Sequence, residues 1–288
     1  MPVCRRSCRR LTLAAALALA SPLSQPAMAP PAFADEPVDL ELVLAIDVSG
    51  SVDPEEGRLQ RDGYVQAFLN EKIQRAIRGG PFGRIAVTYM EWAGDNYQRT
   101  VIDWTVLSDP RSVRSFALAV GEAPITSQQW TSISGAIDHA VPLFEANGVE
   151  GTRRVIDISG DGENNRGRPV ETARDEAVAR GITINGLPIL NDRPNPWGGS
   201  PSNNLDGYYR DHVIGGPGAF LVPANDFDAF ADAILSKLLL EVSGMVPERD
   251  WALSERLRRE MEKLAADPGQ GGGDRLASPQ TTADGHAT

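Results

Sequence analysis

Asp47, Ser49 and Ser51 offer oxygen ligands on one short stretch, directly after a run of β-forming residues that begins at Val38. Alternate residues of an extended segment point the same way, so a carboxylate and two hydroxyls can converge on a point just beyond the strand. Oxygen ligands without His or Cys suit a hard cation such as Mg²⁺, Ca²⁺ or Mn²⁺ rather than zinc or copper. Turn chemistry is the competing explanation, because Asp, Ser and Gly favour turns in any case. The residues that follow weigh against it. Asp53-Pro54-Glu55-Glu56 is a helix start in its own right, with Asp53 as N-cap, Pro54 at the first helical position and Glu56 placed to close a capping box. Ser49 and Ser51 are therefore not needed as caps.

Two further oxygen ligands lie far along the chain. Thr131 stands at the mouth of a helix whose apolar face is Ile133, Ile137, Ala140, Val141 and Phe144; Thr is also a good N-cap, so a capping role competes with a ligand role. Asp161 follows the apolar strand 153–159, within Gly160-Asp161-Gly162. Asp157, Ser159, Asp161 and Gly162 also imitate the opening of an EF-hand loop. Its twelfth position would be Arg168 rather than Glu, and a strand precedes it, so the EF-hand is rejected.

Together these residues resemble the metal-ion-dependent adhesion site of the von Willebrand factor A domain. Asp47-Val48-Ser49-Gly50-Ser51 matches its D-x-S-x-S signature, Thr131-Ser132-Ile133 its T-x-[IL] element, and Asp161 its last residue, with Ser159-Gly160 departing from the usual Thr-Asp-Gly context. The resemblance spans 38–243. At Tyr89-Met90-Glu91-Trp92 and in the loop 159–165 the chain is similar to a bacterial, exported von Willebrand A-like group of unknown function. It implies an α/β, Rossmann-like, doubly wound and mostly parallel sheet flanked by helices, with one antiparallel edge strand. It also implies a metal site in which Ser49, Ser51 and Thr131 bind directly while Asp47 and Asp161 hold the ion directly or through water. An open coordination position would then take an Asp or Glu from a protein partner. Small, rigid ligands of this kind favour Mg²⁺ ahead of Ca²⁺ or Mn²⁺.

The elements that must position these residues are legible in the pattern. A helical stripe of Val65, Leu69, Ile73 and Ile77 runs through 54–77 and stops at Gly79-Gly80-Pro81. Strands follow at 84–91 and 97–105, joined by the turn Gly94-Asp95-Asn96 as a hairpin. A short helix at 112–120 comes next, and Pro142 should kink or end the helix that opens near Thr131. Beyond Asp161, a helix at 169–180 stopped by Gly181, a strand at 182–189, a long loop at 191–204, a short strand at 218–222 and a closing helix marked by Phe227, Phe230, Ile234 and Leu238 and ended by Gly244 complete the alternation of a parallel α/β sheet.

Residues 1–34 stand apart. Arg5, Arg6, Arg9 and Arg10 make a basic start, 11–20 is apolar, and Ala32-Phe33-Ala34 offers small residues at a cleavage position: an export signal, too short to span a bilayer. Arg9-Arg10 leaves the twin-arginine route open. The domain plan is thus a signal at 1–34, a von Willebrand A-like domain at 35–246, an amphipathic helix at 247–266 with Leu253, Leu257, Met261 and Leu264 on one stripe, and a disordered tail at 267–288. The chain carries 28 basic and 39 acidic residues, a formal charge of −11; without the signal, which holds four of the arginines and no acid, it is −15. That balance excludes nucleic acid as a partner. Both cysteines, Cys4 and Cys8, lie in the signal, so the exported chain has neither disulfide nor thiolate chemistry.

The rival functional class is a metal-dependent hydrolase or phosphatase. A haloacid-dehalogenase-like phosphatase also opens on a strand ending in Asp, but its second acid two residues later is Ser49 here, and none of His139, His212 and His286 forms an evident base beside the site. A scaffold with a vestigial site is the third possibility. The favoured reading is a periplasmic or secreted protein-binding domain, not an enzyme, with no transmembrane segment. Protein recovered from the periplasm is expected to begin near Asp35 by mass spectrometry; an intact Met1 terminus would contradict the export signal.

Overall fold

The computed structural model describes residues 35–145, 147–190, 204–225 and 229–245. The expected signal, the loop 191–203, Phe227 and the helix and tail beyond 246 lie outside the described residues.

Strands β1 (Glu36–Val38) and β5 (Val149–Gly151) form a small parallel pair. The main sheet contains β2 (Glu41–Asp47), β3 (Ile85–Trp92), β4 (Gln98–Leu107), β6 (Arg154–Gly160) and β7 (Ile182–Pro188), in the order β4-β3-β2-β6-β7. Every pairing in it is parallel except the β3–β4 hairpin, which forms the antiparallel edge. Helices α1 (Pro54–Leu69), α2 (Glu71–Gly79), α3 (Pro110–Glu122), α4 (Ile133–Ala140), α5 (Val170–Ala179), α6 (Leu205–Tyr208) and α7 (Phe230–Ser243) flank it. The fold is the α/β, doubly wound one that the sequence pattern calls for.

The period of two along β2 explains its unbroken apolar run. Leu42, Leu44 and Ile46 pack with Tyr64, Phe68, Ile73, Phe116 and Ile234 from α1, α2, α3 and α7, whereas Val43 and Ala45 pack with Ile133, Ile137, Ala173 and Ala177 from α4 and α5. A strand covered on both faces has no polar side to show. β2 is therefore the central strand, and the residue that ends it, Asp47, emerges between the two helical layers.

Two local expectations need correction, and one alternative falls away. The stripe over 54–77 is two helices, because Asn70 takes an extended conformation and its side chain accepts from the Lys72 amide as a new N-cap. The expected strand at 218–222 is reduced to isolated bridges, Gly186 with Leu221 and Ile189 with Ala224. Gly216 and Gly218 at positive φ and the missing amide hydrogen of Pro223 prevent a regular ladder. Thr131 is not the cap of α4: Ser132 fills that role, its Oγ accepting from the Gly135 amide at 3.1 Å. Pro142 does end α4, which passes into a 3₁₀ turn at Val141–Phe144.

Beneath the α7 side of the sheet lies a fully buried charge cluster. Lys237 of α7 pairs with Asp157 of β6 and, at 2.7 Å, with Glu241, whose carboxylate also accepts from Asn185 at 3.0 Å. Burial, reinforced by the charge of Glu241 and opposed by Lys237, pushes the Asp157 carboxyl up to about 7. Replacing Lys237 by Met keeps the volume and strands two carboxylates in the core, so it is expected to cost about 3–5 kcal/mol in urea unfolding. The loss should deepen as pH rises, since a carboxyl with a raised pKa stabilises the fold only while protonated. A change of stability under about 0.5 kcal/mol, the range of ordinary surface substitutions, would contradict this account of the cluster.

Candidate metal centre

Asp47 leaves the C-terminal end of β2, where ligands of open α/β sheets gather. Its Oδ1 accepts from the Ser49 amide at 2.7 Å, which turns the chain back and sets the two serine hydroxyls side by side, 3.0 Å apart. Ser51 Oγ then donates to Asp161 Oδ1 at 2.6 Å, across 110 residues of sequence. Asp161 arrives on the neighbouring strand's exit, because β6 pairs with β2 in parallel register and ends one residue earlier, at Gly160. The capping box at Asp53 and Glu56 is present as the sequence indicates, so neither serine is used as a cap.

Thr131 is brought to the same edge by a braced loop. Gln128 donates its amide to Val48, forming an isolated bridge with Ser49, and the Ser132 amide donates to Ala93 beyond β3. Farther back, the buried Arg61–Glu91 pair, 2.9 Å apart, anchors the loop: Arg61 also donates to the carbonyls of Ala123 and Pro124, and Thr126 donates to Glu91. On the other side the loop 159–167 closes over α4. Asn165 accepts from the Thr131 amide at 2.9 Å and Asn164 from the Ser134 amide at 3.0 Å. Gly162 faces Thr131, where a Cβ would lie 3.5 Å from the Thr131 Oγ1. Thus the structure draws Asp47, Ser49, Ser51, Thr131 and Asp161 to one edge, and the two asparagines account for the Gly162-Glu163-Asn164-Asn165 stretch.

The electrostatics of the cluster are those of a carboxylate pair held out of water. Burial first, then the charge of Asp161, raise the Asp47 carboxyl well above its ordinary range, against the bonds it accepts from Ser49. Asp161 is pushed up to about 6, by burial first, with the bond from Ser51 opposing and the charge of Glu56 adding. Asp47 Oδ2 is buried without a hydrogen-bond partner. An orphaned carboxylate oxygen beside a second carboxylate and two serine hydroxyls fits a hard divalent cation. Among the described residues no three His, Cys, Asp or Glu side chains group to hold a metal; the other oxygens beside the two carboxylates are the hydroxyls of Ser49 and Ser51.

Two residues at the site were not singled out as such from sequence. Glu56, read only as part of a capping box, adds negative charge near Asp161. Tyr209 comes from a π-helical turn, Tyr209–Val213, that continues α6. Its hydroxyl is buried without a partner, and a Cβ on Gly160 would stand 2.9 Å from it and 2.8 Å from Asp47 Oδ2. Gly160 is thus explained by crowding: a side chain there would collide with both. No local pattern in the sequence announces that Tyr209 and Asp47 flank the same glycine. His139 and His212 are engaged elsewhere, with Thr100 and Glu171.

The sequence matches the family described as "Protein of unknown function (DUF1194)" over residues 37–246. No curated protein matches it. Among solved structures it is similar to the pilus adhesin SpaC from Lactobacillus rhamnosus GG, with TM-score 0.52 and 14% identity over 72% of this chain and 31% of that one. It is also similar to proximal thread matrix protein 1 (PTMP1) from the mussel byssus with zinc-occupied MIDAS motif, with TM-score 0.50 and 14% identity over 73% of this chain and 49% of that one. The von Willebrand factor type A from Catenulispora acidiphila matches with TM-score 0.46 and 14% identity, over 71% and 43% of the two chains. The chain thus spans less than half of each of these relatives, and its likeness to SpaC and PTMP1, at TM-scores of 0.52 and 0.50, is one of fold alone.

The raised carboxyls set a pH dependence. In chelator-treated protein the native state retains protons that the unfolded chain has released, so these groups favour folding at low pH and that contribution is lost as pH rises through about 6. A cation bound at the cluster would displace the protons. Stabilisation by saturating Mg²⁺ should therefore be larger at about pH 7.5 than at about pH 5, and calorimetry in buffers of different ionisation enthalpy should detect proton release near pH 6. A Mg²⁺ effect on melting that is equal at both pH values would contradict it.

Proposed function

The chain belongs to the DUF1194 family of proteins of unknown function, and from that premise we propose that it is an exported protein-binding domain that recognises an acidic residue of a partner through a divalent cation. The observation that carries this reading is Asp47 Oδ2, buried and unpartnered next to Asp161 and the paired hydroxyls of Ser49 and Ser51. Asp47 and Asp161 would neutralise an ion, while Ser49, Ser51 and Thr131 would complete its shell without adding charge. The oxygen-only set favours Mg²⁺, with Ca²⁺ or Mn²⁺ as alternatives. When bound, the ion supplies an electrophilic open position that attracts a carboxylate.

Net charge makes the cation necessary for such a partner. An acidic residue approaching an exported chain of formal charge −15 would be repelled without it. Two neighbours of the same fold are a pilus adhesin and a byssal matrix protein with zinc in its MIDAS motif, which supports a binding role. Export rests on the basic start, apolar run and Ala-x-Ala pattern in 1–34. Among the described residues no helix is long and apolar enough to cross a membrane.

Asp47→Ala is expected to abolish calorimetric Mg²⁺ binding while circular dichroism stays native, because the substitution removes a ligand and relieves repulsion at an edge rather than emptying the apolar core. Proteins captured from periplasm by the wild type should be released by chelator and missing from the Asp47→Ala capture. Identical, chelator-insensitive partners on a folded Asp47→Ala protein would move the binding surface elsewhere.

A further inference from the structure

Next to Thr131, Trp130 has a φ of 68°, the one non-glycine residue at positive φ among those described. For a bulky side chain this conformation is strained, and it persists only where the surroundings enforce it. The bracing is visible on both sides: the Gly94 amide donates to Gln129, and the amides of Asn165 and Arg166 both donate to the Thr131 carbonyl. The strain brings no burial in the core, since Trp130 is 51% exposed. It serves to display an aromatic face at the rim of the candidate metal centre.

Arg166 lies on that face, its guanidinium carbon 3.9 Å from the ring centroid. Stacking fixes the plane of a guanidinium and leaves its N–H edge free to donate in a fork to a carboxylate. Arg168, two residues on, is committed to Asp138 and Glu176. By contrast, Arg166 is exposed and its side chain forms no hydrogen bond or ion pair with any described residue. A stacked cation with no ion-pair partner among the described residues, beside the candidate metal centre on a chain with 39 acidic residues, is a selective feature rather than a general one.

We propose that Trp130 and Arg166 form a second reading point, so that the partner is a protein loop carrying two acidic residues, one for the cation and one for the Arg166 guanidinium, with the indole as a rigid wall between them. The inference rests on the metal-bridged function above and adds the partner's chemistry: a paired-acid motif rather than a lone Asp or Glu. Trp and Arg are also the side chains that most often concentrate binding energy at interfaces.

A ladder of small carboxylates tests both steps with the mature protein and saturating Mg²⁺. Acetate probes the metal alone; succinate, glutarate and adipate probe metal and Arg166 together, with binding followed by backbone amide and indole N–H signals of isotope-labelled protein. At least one dicarboxylate should bind about tenfold more tightly than acetate, the gain of one charge-assisted forked contact. In Arg166→Gln that ratio should fall to about twofold or less, within the effect of the extra apolar area alone. Trp130→Gly, which relaxes the strained backbone and removes the wall, should reduce the ratio as well. If acetate binds but no dicarboxylate is preferred, or if Arg166→Gln keeps the preference, the second reading point is wrong while the metal bridge stands. If neither acetate nor any dicarboxylate binds, the metal-bridged function falls and this inference with it.

Discussion

Two carboxylates that repel each other are forced to the same edge of the sheet. Asp47 ends the central strand, which is buried on both faces, and Asp161 leaves the adjacent parallel strand; the register between β2 and β6 gives neither a route away from the other. Burial raises both carboxyls, and one oxygen of Asp47 has no partner. The surrounding structure is arranged about this tension. Serine hydroxyls bridge the gap, the 159–167 loop is held by Asn164 and Asn165, and Gly160 makes room for Asp47 and Tyr209. A protein seeking only stability would have no use for such a pair; under the proposed function a cation would resolve the repulsion and convert it into affinity.

Rigidity beneath the site is supplied by charge as well as by apolar packing. Arg61 and Glu91 tie α1, β3 and the loop leading to Thr131 into one unit. On the same α7-covered side of the sheet, Lys237 joins α7 to Asp157 of β6 and pairs with Glu241 one turn along its own helix. A buried pair of this kind contributes little net stability compared with apolar residues, but breaking it is costly, so it fixes one arrangement against alternatives. The loops that carry the candidate ligands are therefore mounted on elements whose relative positions are locked, which is the condition for a ligand set held to a fraction of an ångström.

Much of this was legible because the signals are local. The double burial of β2 is written as an uninterrupted apolar run, the start of α1 as Asp53, Pro54 and Glu56, and the end of α7 as Gly244, which takes the left-handed conformation at φ 68°. What misled was equally local. Asn70 sits inside an apolar stripe of the right period, and only its choice of the Lys72 amide as partner breaks the helix. Pro223 and two left-handed glycines reduce an apolar run to bridges. The choice between Thr131 and Ser132 as cap turns on a backbone angle that no pattern encodes. The nearness of Tyr209 to the site was illegible, because it depends on a π-helical turn bringing the residue beside Gly160 from far along the chain. Pairings made across the sheet are a property of topology, and sequence spacing does not carry them.

The central claim is that these two carboxylates and three hydroxyls hold one divalent ion. The most direct measurement is anomalous diffraction from crystals of the mature protein soaked in Mn²⁺, a surrogate for Mg²⁺ with a usable anomalous signal. The account predicts a single strong peak at the end of β2, within about 2.0–2.4 Å of the Ser49 and Ser51 hydroxyls and linked to Asp47, Thr131 and Asp161 directly or through water. An ordered site with the same five residues and no peak, or a peak coordinated by other residues, would contradict it.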